Sequence, residues 1–166
     1  LMQPWRFIRI TDPSLRASLQ VQVEEERVRT AEALGERSDE FMKLKVEGIS
    51  DCAQDIVAAL MDGREQFIFG RRTLPEMDIA SLSCAIQNLW LAARAEGLGL
   101  GRVSLFDPVA LAELPRLPPG RNPAAVLRLG PAQAFFPAPP LAPAGCAHVR
   151  PRHEPRLAPP WEPHDF

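Results

Sequence analysis

The sequence predicts an α+β domain in which helices pack around a central mixed sheet and one long buried helix. Strand-like and helix-like patterns alternate without an internal repeat, and the helices are too few to cover both faces of a large parallel sheet. A chain of 166 residues with 46% hydrophobic content suits one core. We assign the domain to residues 1–135 and an extended, proline-rich tail to residues 136–166, since fourteen of the eighteen prolines lie at or beyond Pro115.

The first half of the chain contains two strand patterns and one long helix pattern. Hydrophobic residues alternate with arginine from Trp5 to Ile10, which is typical of a strand with one buried face. Asp12 and Pro13 favour the start of a helix that continues to about residue 34 and ends at Gly35. Residues 41–49 are interpreted as a lid-like segment. The apolar run at residues 56–61 predicts a strand that is buried on both faces.

The second half is organised by a helix predicted over residues 74–96. Thr73 and Glu76 have the spacing of a capping box, and Gly97 supplies the left-handed residue that ends a helix. Apolar side chains point in nearly every direction around its axis, so we expect it to be buried, partly against a second subunit. Glycines then flank a strand predicted at residues 103–105, where they allow close approach of a backbone or a planar ligand. A short helix (107–114) and a last strand (124–130) follow.

The composition argues against several classes of function. Lysine plus arginine (19) nearly balance aspartate plus glutamate (21), so no basic surface is predicted for nucleic acid or for a membrane. No apolar run approaches the ~20 residues that span a bilayer, and we expect a cytoplasmic protein. The three cysteines are too widely spaced for a zinc site, and the three histidines, all in the tail, lack ligand spacing. No metal is predicted.

Several motifs resemble those of one enzyme family. The run Gln3-Pro4-Trp5-Arg6-Phe7 resembles the Gln-Pro-Trp-x-Phe element that enters the first strand of nitroreductase-superfamily enzymes. Within that superfamily, residues 43–49, 70–78 and 84–99 are similar to the branch of 5,6-dimethylbenzimidazole synthases. The Gly-Arg-x-Thr-x-Pro-Glu-Met-Asp loop at residues 70–78 is the most distinctive of these. The resemblance covers residues 1–130 and implies a nitroreductase-like layered fold.

The resemblance also implies a reaction and its participants. Members of this branch are homodimers that hold reduced FMN at the subunit interface and let it react with molecular oxygen. The flavin is fragmented to 5,6-dimethylbenzimidazole, the lower ligand of cobalamin, so FMN is a substrate that a separate flavin reductase must supply. Such chemistry needs a closed, low-dielectric pocket with a few polar groups at the reacting atoms.

The resemblance also assigns residues of the family's flavin site to matching positions in this sequence. Ser104 matches the family serine that follows the glycine-rich turn and acts beside the flavin, where a hydroxyl can both donate and accept a proton. The family has a tryptophan at the position of Arg102, so this residue departs from the pattern. The complete set of expected flavin-binding residues is Gln3, Lys43, Arg71, Arg102, Val103 and Ser104.

Family members also carry an Arg-Arg-Asp-x-Arg type segment before the Gln-Pro-Trp element, which binds the FMN phosphate and supplies a catalytic aspartate. The chain opens at Leu1 and enters its first strand almost at once, so we expect an N-terminally incomplete sequence that binds FMN weakly on its own. Two alternatives remain open at this point: an NAD(P)H-dependent FMN nitroreductase or flavin reductase, and a non-catalytic flavin-binding module.

Overall fold

The computed structural model describes residues 3–42, 52–61, 72–114, 117, 120–132 and 135, and all structural statements below concern these residues. The chain divides into two compact units, Leu1–Gln133 and Ala134–Phe166. Most of the lid-like segment, the loop that precedes Arg72 and the proline-rich tail lie outside the described residues.

The described residues contain four strands, which form one sheet. They are β1 (Trp5–Ile10), β2 (Gln54–Leu60), β3 (Leu98–Val103) and β4 (Asn122–Pro131), in the order β1-β2-β4-β3. The α+β fold class predicted from the sequence is confirmed. All three pairings among the described strands are antiparallel, whereas we expected a mixed sheet. Hydrophobic periodicity locates a strand but carries no information about the direction of its neighbours, which explains the difference.

Within the described part of the chain, four α-helices accompany the sheet: α1 (Pro13–Ala33), α2 (Ser38–Met42), α3 (Met77–Ala95) and α4 (Pro108–Glu113). Helices α1 and α4 begin with the same Asp-Pro pair. The Oδ1 atom of Asp12 accepts from the Ser14 amide at 2.7 Å, and Asp107 accepts from two first-turn amides in the same way. Gly35 and Gly97, at φ 56° and 73°, follow the ends of α1 and α3, as the sequence predicted.

The core lies on both faces of the sheet. On one face, Leu19 and Val23 of α1 and Leu111 of α4 pack against Val57 and Val126. The strand side chains that point to the other face pack against α3. The cluster on that face contains Ala58, Leu60, Leu82, Ile86, Leu100, Ala125 and Leu127. The central strands β2 and β4 are therefore covered on both sides, as the apolar sequence of β2 predicted.

Helix α3 differs from its prediction in two respects. It begins at Met77, and its N-cap residue Glu76 makes no side-chain capping hydrogen bond, so the predicted capping box is wrong. Only one face is buried, because the sheet covers a single side of the helix. Trp90 and Leu91 on other sides are 41% and 59% exposed in the isolated chain.

Strand β3 also differs from its prediction. We expected a strand at residues 103–105, but the strand is Leu98–Val103 and ends immediately before Ser104. The glycine-rich segment itself pairs with β4, with Gly99 opposite Gly130 and Gly101 opposite Arg128. Backbone pairing needs no side chain, so neighbouring strands can hold a sequence whose intrinsic strand preference is low.

A buried carboxylate ties α1 to the sheet. Asp55 of β2 is fully buried, and its Oδ2 atom accepts from Arg16 Nε at 2.7 Å. The same guanidinium donates through Nη2 to the Cys52 carbonyl at 2.6 Å, and the Cys52 thiol donates to Asp55 Oδ1 at 3.1 Å. A buried charge without its partner is costly, so this cluster fixes the start of β2 beneath α1.

Replacing Arg16 by methionine would remove the cation that donates to Asp55 Oδ2 and leave this carboxylate oxygen buried without that hydrogen bond. We expect the free energy of unfolding to fall by on the order of 3 kcal/mol in urea denaturation. Arg29→Met is the matched control, because Arg29 is exposed and lies 3.7 Å from Glu26; it should change stability by less than about 0.5 kcal/mol. Equal effects of the two substitutions would contradict the role given to the buried pair.

The Cys52 thiol is held in its protonated form. Burial raises its pKa to about 11, and the neighbouring Asp55 carboxylate adds to the shift. Because the pKa is raised, the protonated Cys52 thiol contributes to the free energy of unfolding below pH 9.0, the ordinary pKa of a thiol. This contribution to stability is lost as the pH rises through about 11.

Alkylation tests this shift. With iodoacetamide at pH 8, exposed Cys84 should be labelled well before Cys52, as measured by peptide mass spectrometry. Between pH 8 and 10 the rate at Cys52 should keep rising about tenfold per pH unit, since only its thiolate reacts. A rate at Cys52 that levels off near pH 9 would show that the thiol is not perturbed.

Candidate functional site

The expected site residues Arg102, Val103 and Ser104 form the end of β3. This strand pairs only with β4 among the described strands, so its other edge is open in the described part of the chain. Val103 is buried in the cluster with Val57 and Val126, so its side chain belongs to the core and only its backbone can meet a ligand. Ser104 is the first residue after the strand and is exposed.

Arg102 lies on the α3 side of the sheet. Side chains alternate along a strand, Leu100 packs with α3, and Val103 packs on the opposite face with α1 and α4. Arg102 is exposed and therefore carries its positive charge on the same side as the exposed apolar residues of α3. The Arg102 cation therefore lies on the α3 side of the sheet, one residue before the end of β3 and two residues before Ser104.

The described residues do not close a cavity around Ser104. We expected the glycine-flanked strand and the central helix to form one wall of a closed pocket around it, yet Ser104 and Arg102 are both exposed. A closed pocket at this position requires a second surface in addition to the described residues. The exposed apolar side chains of α3 are the feature that such a surface would cover.

Gln3 lies away from this group. It is exposed and precedes β1. The residue between them, Pro4, is held at the sheet because its carbonyl accepts from the Met61 amide at 2.8 Å. Strand β1 is separated from β3 by β2 and β4, and three strand spacings of about 4.8 Å amount to about 14 Å. One chain therefore holds Gln3 and Ser104 at opposite edges of its sheet. Lys43 and Arg71 lie outside the described residues.

The tryptophan of the Gln-Pro-Trp element has a structural contact. Trp5 Nε1 donates to Ser81 Oγ of α3 at 3.3 Å, and its ring lies 5.3 Å from that of Phe7, centroid to centroid. The motif thus connects β1 to α3. Gln87 and Asn88, which interrupt the apolar pattern of α3, are exposed.

The glycines of the sheet make room for protein groups. A β-carbon at Gly101 would lie 3.4 Å from Nη2 of Arg128, so the guanidinium occupies the space that we expected a planar ligand to use. At Gly130 the neighbour is the backbone nitrogen of Ala53, only 3.0 Å away. Arg128 lies opposite Asp55 in the β2–β4 ladder and opposite Gly101 in the β3–β4 ladder. The sequence analysis missed this residue, and the signal that could have found it is an arginine within the apolar pattern of β4.

The described residues offer neither a metal site nor a membrane-spanning helix. They contain no group of three or more histidine, cysteine, aspartate or glutamate side chains arranged to hold a metal ion. None of the helices within them is both long enough and apolar enough to cross a membrane.

Comparison with known proteins identifies the family. Residues 1–131 match the model of the nitroreductase family, and the chain belongs to that family. It is 38% identical over 119 residues to 5,6-dimethylbenzimidazole synthase of Rhodobacter capsulatus, covering 70% of this chain and 58% of that protein. It is also 38% identical over 109 residues to the synthase of Rhodospirillum rubrum, covering 64% and 51%. The chain therefore spans about half the length of these relatives.

A solved structure supports the fold. The crystal structure of a BluB-like flavoprotein from Clostridium difficile 630 superposes with a TM-score of 0.61 at 15% identity, covering 90% of this chain and 81% of that one. Identity at this level supports a nitroreductase-like fold and nothing more specific. The family predicted from the sequence motifs is confirmed.

The two sheet glycines should respond differently to alanine. Gly130→Ala should lower the free energy of unfolding by about 1–3 kcal/mol, because the new methyl group meets backbone that cannot move aside. Gly101→Ala should change it by less than about 1 kcal/mol, since its neighbour is the far end of a flexible side chain. Urea denaturation measures both values, and a Gly101 variant that is the less stable of the two would contradict these contacts.

Proposed function

We propose that the protein to which these residues belong converts reduced FMN and molecular oxygen to 5,6-dimethylbenzimidazole. The observation that carries the proposal is the 38% identity to two synthases of this compound over 109 and 119 residues. Structural likeness at 15% identity supports the fold alone.

The described residues fit one wall of a flavin site. Arg102 offers a guanidinium for electron-rich carbonyl oxygens, Ser104 offers a hydroxyl, and Val103 offers backbone groups at the open edge of β3. A flat aromatic ring system also suits an apolar neighbour, which the exposed side of α3 supplies. Gln3, Lys43 and Arg71 belong to the proposed flavin-binding set through the family resemblance.

Reduced flavin supplies the electrons for dioxygen and the atoms of the product. The contribution of the protein is to bind, to orient and to exclude water. In this proposal Arg102 stabilises negative charge at the ring, Val103 fixes the ring edge through its backbone, and the Ser104 hydroxyl donates and accepts a proton at the reacting atoms. All three roles need a pocket that is closed to solvent.

A second copy of the chain closes that pocket in our proposal. Met77 and Ile79 at the start of α3 and Trp90 and Leu91 near its end are each at least 40% exposed in one chain, and a homodimer interface along α3 would cover these side chains. A symmetric partner would also allow Gln3 of one chain to approach the β3 end of the other. This arrangement resolves the separation of Gln3 from Ser104 across the sheet.

Replacing Ser104 by alanine in the full-length protein tests the catalytic role. With reduced FMN and air, formation of 5,6-dimethylbenzimidazole, measured by chromatography, should fall by about 100-fold or more. The dissociation constant for FMN, from fluorescence titration, should change by less than about threefold, because one hydroxyl contributes little to binding.

Ser18→Ala is the control. Ser18 is exposed on α1, where its hydroxyl donates to the Ser14 carbonyl at 3.0 Å, and its loss should alter neither quantity. Equal losses of product formation and FMN affinity in the Ser104 variant would contradict the catalytic role of this residue. If the full-length wild-type protein leaves FMN fluorescence unchanged, the proposed function as a whole is wrong.

A flavin reductase or nitroreductase is the second candidate, because residues 1–131 match the family as a whole. Such an enzyme keeps its FMN and passes hydride from a nicotinamide to an acceptor. The same assay separates the two, since the synthase consumes FMN in proportion to product while a reductase returns it unchanged. Loss of FMN without nicotinamide oxidation would exclude the reductase.

A further inference from the structure

The outward face of α3 carries no charged side chain over most of its length. Residues 79–93 include no aspartate, glutamate, lysine or arginine, although most of them are exposed in one chain. Within this stretch Leu82, Ile86 and Ala93 are buried against the sheet. The exposed side of α1, in contrast, is rich in glutamate and arginine, as is usual for a helix that faces water. An exposed and uncharged helix surface is typical of a contact with another protein surface.

Five exposed residues form a row along this face, which we call the outer row: Met77, Ala80, Cys84, Gln87 and Leu91. They follow one another at intervals of three, four, three and four residues. Two packed helices meet along rows with this spacing, because it keeps one side of each helix facing the other. Met77 and Leu91, at the ends of the row, are 54% and 59% exposed. The outer row therefore has the pattern of a surface that receives a second helix.

The outer row is self-complementary about its middle residue. Cys84 lies seven residues from Met77 and seven residues from Leu91. When two copies of α3 cross at Cys84 in nearly antiparallel directions, a twofold axis relates them and Met77 of each copy meets Leu91 of the other. The small side chains of Ala80 and Cys84 allow close approach at the crossing point, and the larger ones fill the gap where the helix axes diverge. The sizes and positions of these side chains favour a second copy of the same helix.

A second copy also satisfies the polar member of the outer row. Gln87 lies one turn from Cys84 and ends in an amide that both donates and accepts hydrogen bonds, so two copies can pair these groups with each other. Because the row is uncharged, two identical rows do not repel each other. A second chain is moreover what the surroundings of Ser104 require, since the described residues do not close a pocket there. These observations have one occupant in common.

We propose that α3 crosses α3 of a second copy, nearly antiparallel, about a twofold axis at Cys84. The inference rests on the proposed function, because it specifies the centre of the homodimer that completes the flavin pocket. With about 10 Å between the helix axes and Cα atoms about 2.3 Å from each axis, the facing Cys84 residues have Cα atoms about 5 Å apart. A disulfide bond spans Cα separations of about 4.4–6.8 Å, so the two thiols are within reach of each other.

Hydrogen peroxide tests this geometry in the full-length protein. It takes two electrons and two protons from a pair of thiols, which form a disulfide bond, and is itself reduced to two water molecules. On a non-reducing gel the wild-type protein should become a covalent dimer, and peptide mass spectrometry should show Cys84 joined to Cys84. Cys84→Ser should abolish this product. The fraction cross-linked per minute should not depend on protein concentration, whereas random collision would make it rise in proportion.

A displaced thiol is the matched control. Ala80→Cys in the Cys84→Ser background moves the thiol by four residues, about 6 Å along the helix. In the antiparallel arrangement the two residues 80 lie about 12 Å apart, so this variant should cross-link at least about tenfold more slowly than wild type. Two α3 helices in parallel would bring residues 80 as close together as residues 84. Equal rates at the two positions would therefore overturn the proposal.

A charge at the end of the outer row supplies a readout that needs no cysteine. Leu91→Lys should raise the dissociation constant of the dimer by about tenfold or more in sedimentation velocity, because the lysine would be desolvated against Met77 of the other copy. Met77→Glu in the same chain should restore part of the affinity by pairing opposite charges. Val109→Lys is the control, since Val109 is exposed on α4, on the other face of the sheet, and should leave the dimer unchanged.

The outcomes distinguish the interface from the proposed function. If the wild-type protein forms 5,6-dimethylbenzimidazole but Cys84 does not cross-link, the axis lies elsewhere and this inference is wrong while the function stands. If Cys84 cross-links as predicted but reduced FMN yields no product, the interface stands and the proposed function fails. A full-length protein that is monomeric at micromolar concentration would contradict the interface directly.

Discussion

Strands β2 and β4 are covered on both faces, by α1 and α4 on one side and by α3 on the other, and this constraint shapes the rest of the domain. Every polar group in such strands needs a protein partner, because water cannot reach it. Asp55 meets the requirement through Arg16 and Cys52, and the ladders place Arg128 beside it. The polar cluster consequently fixes the packing of α1 on the sheet.

The same constraint separates stability from function. The centre of the sheet is occupied by packing, so groups that meet a ligand have to lie at its edges. In one chain Gln3 lies before the edge strand β1 and Ser104 lies after the edge strand β3. A flavin site that uses both sets is compatible with a twofold arrangement, which would also cover the exposed apolar side of α3. The apolar surface and the incomplete pocket then have one common explanation.

Local signals predicted much of this fold. The bounds of β1, the Asp-Pro start of α1 and the glycines after α1 and α3 agree with the sequence, because they depend on alternation, capping and left-handed glycine. The family was predicted from short motifs and is confirmed. Non-local features were missed. Nothing local indicated that Gly99 and Gly101 pair within a strand, that Arg128 fills the space beside Gly101, or that α3 buries only one face. Each depends on residues far away in the chain.

In the proposed arrangement a flavin binds at the end of β3, in a pocket completed by a second copy of the chain. A crystal structure of the full-length protein with FMN tests it most directly. We expect the ring system to lie within hydrogen-bonding distance of Ser104 Oγ or the Val103 backbone, with Leu91 buried between subunits. Flavin bound elsewhere, or a monomer in which Ser104 remains exposed to solvent beside the bound ring, would contradict the account.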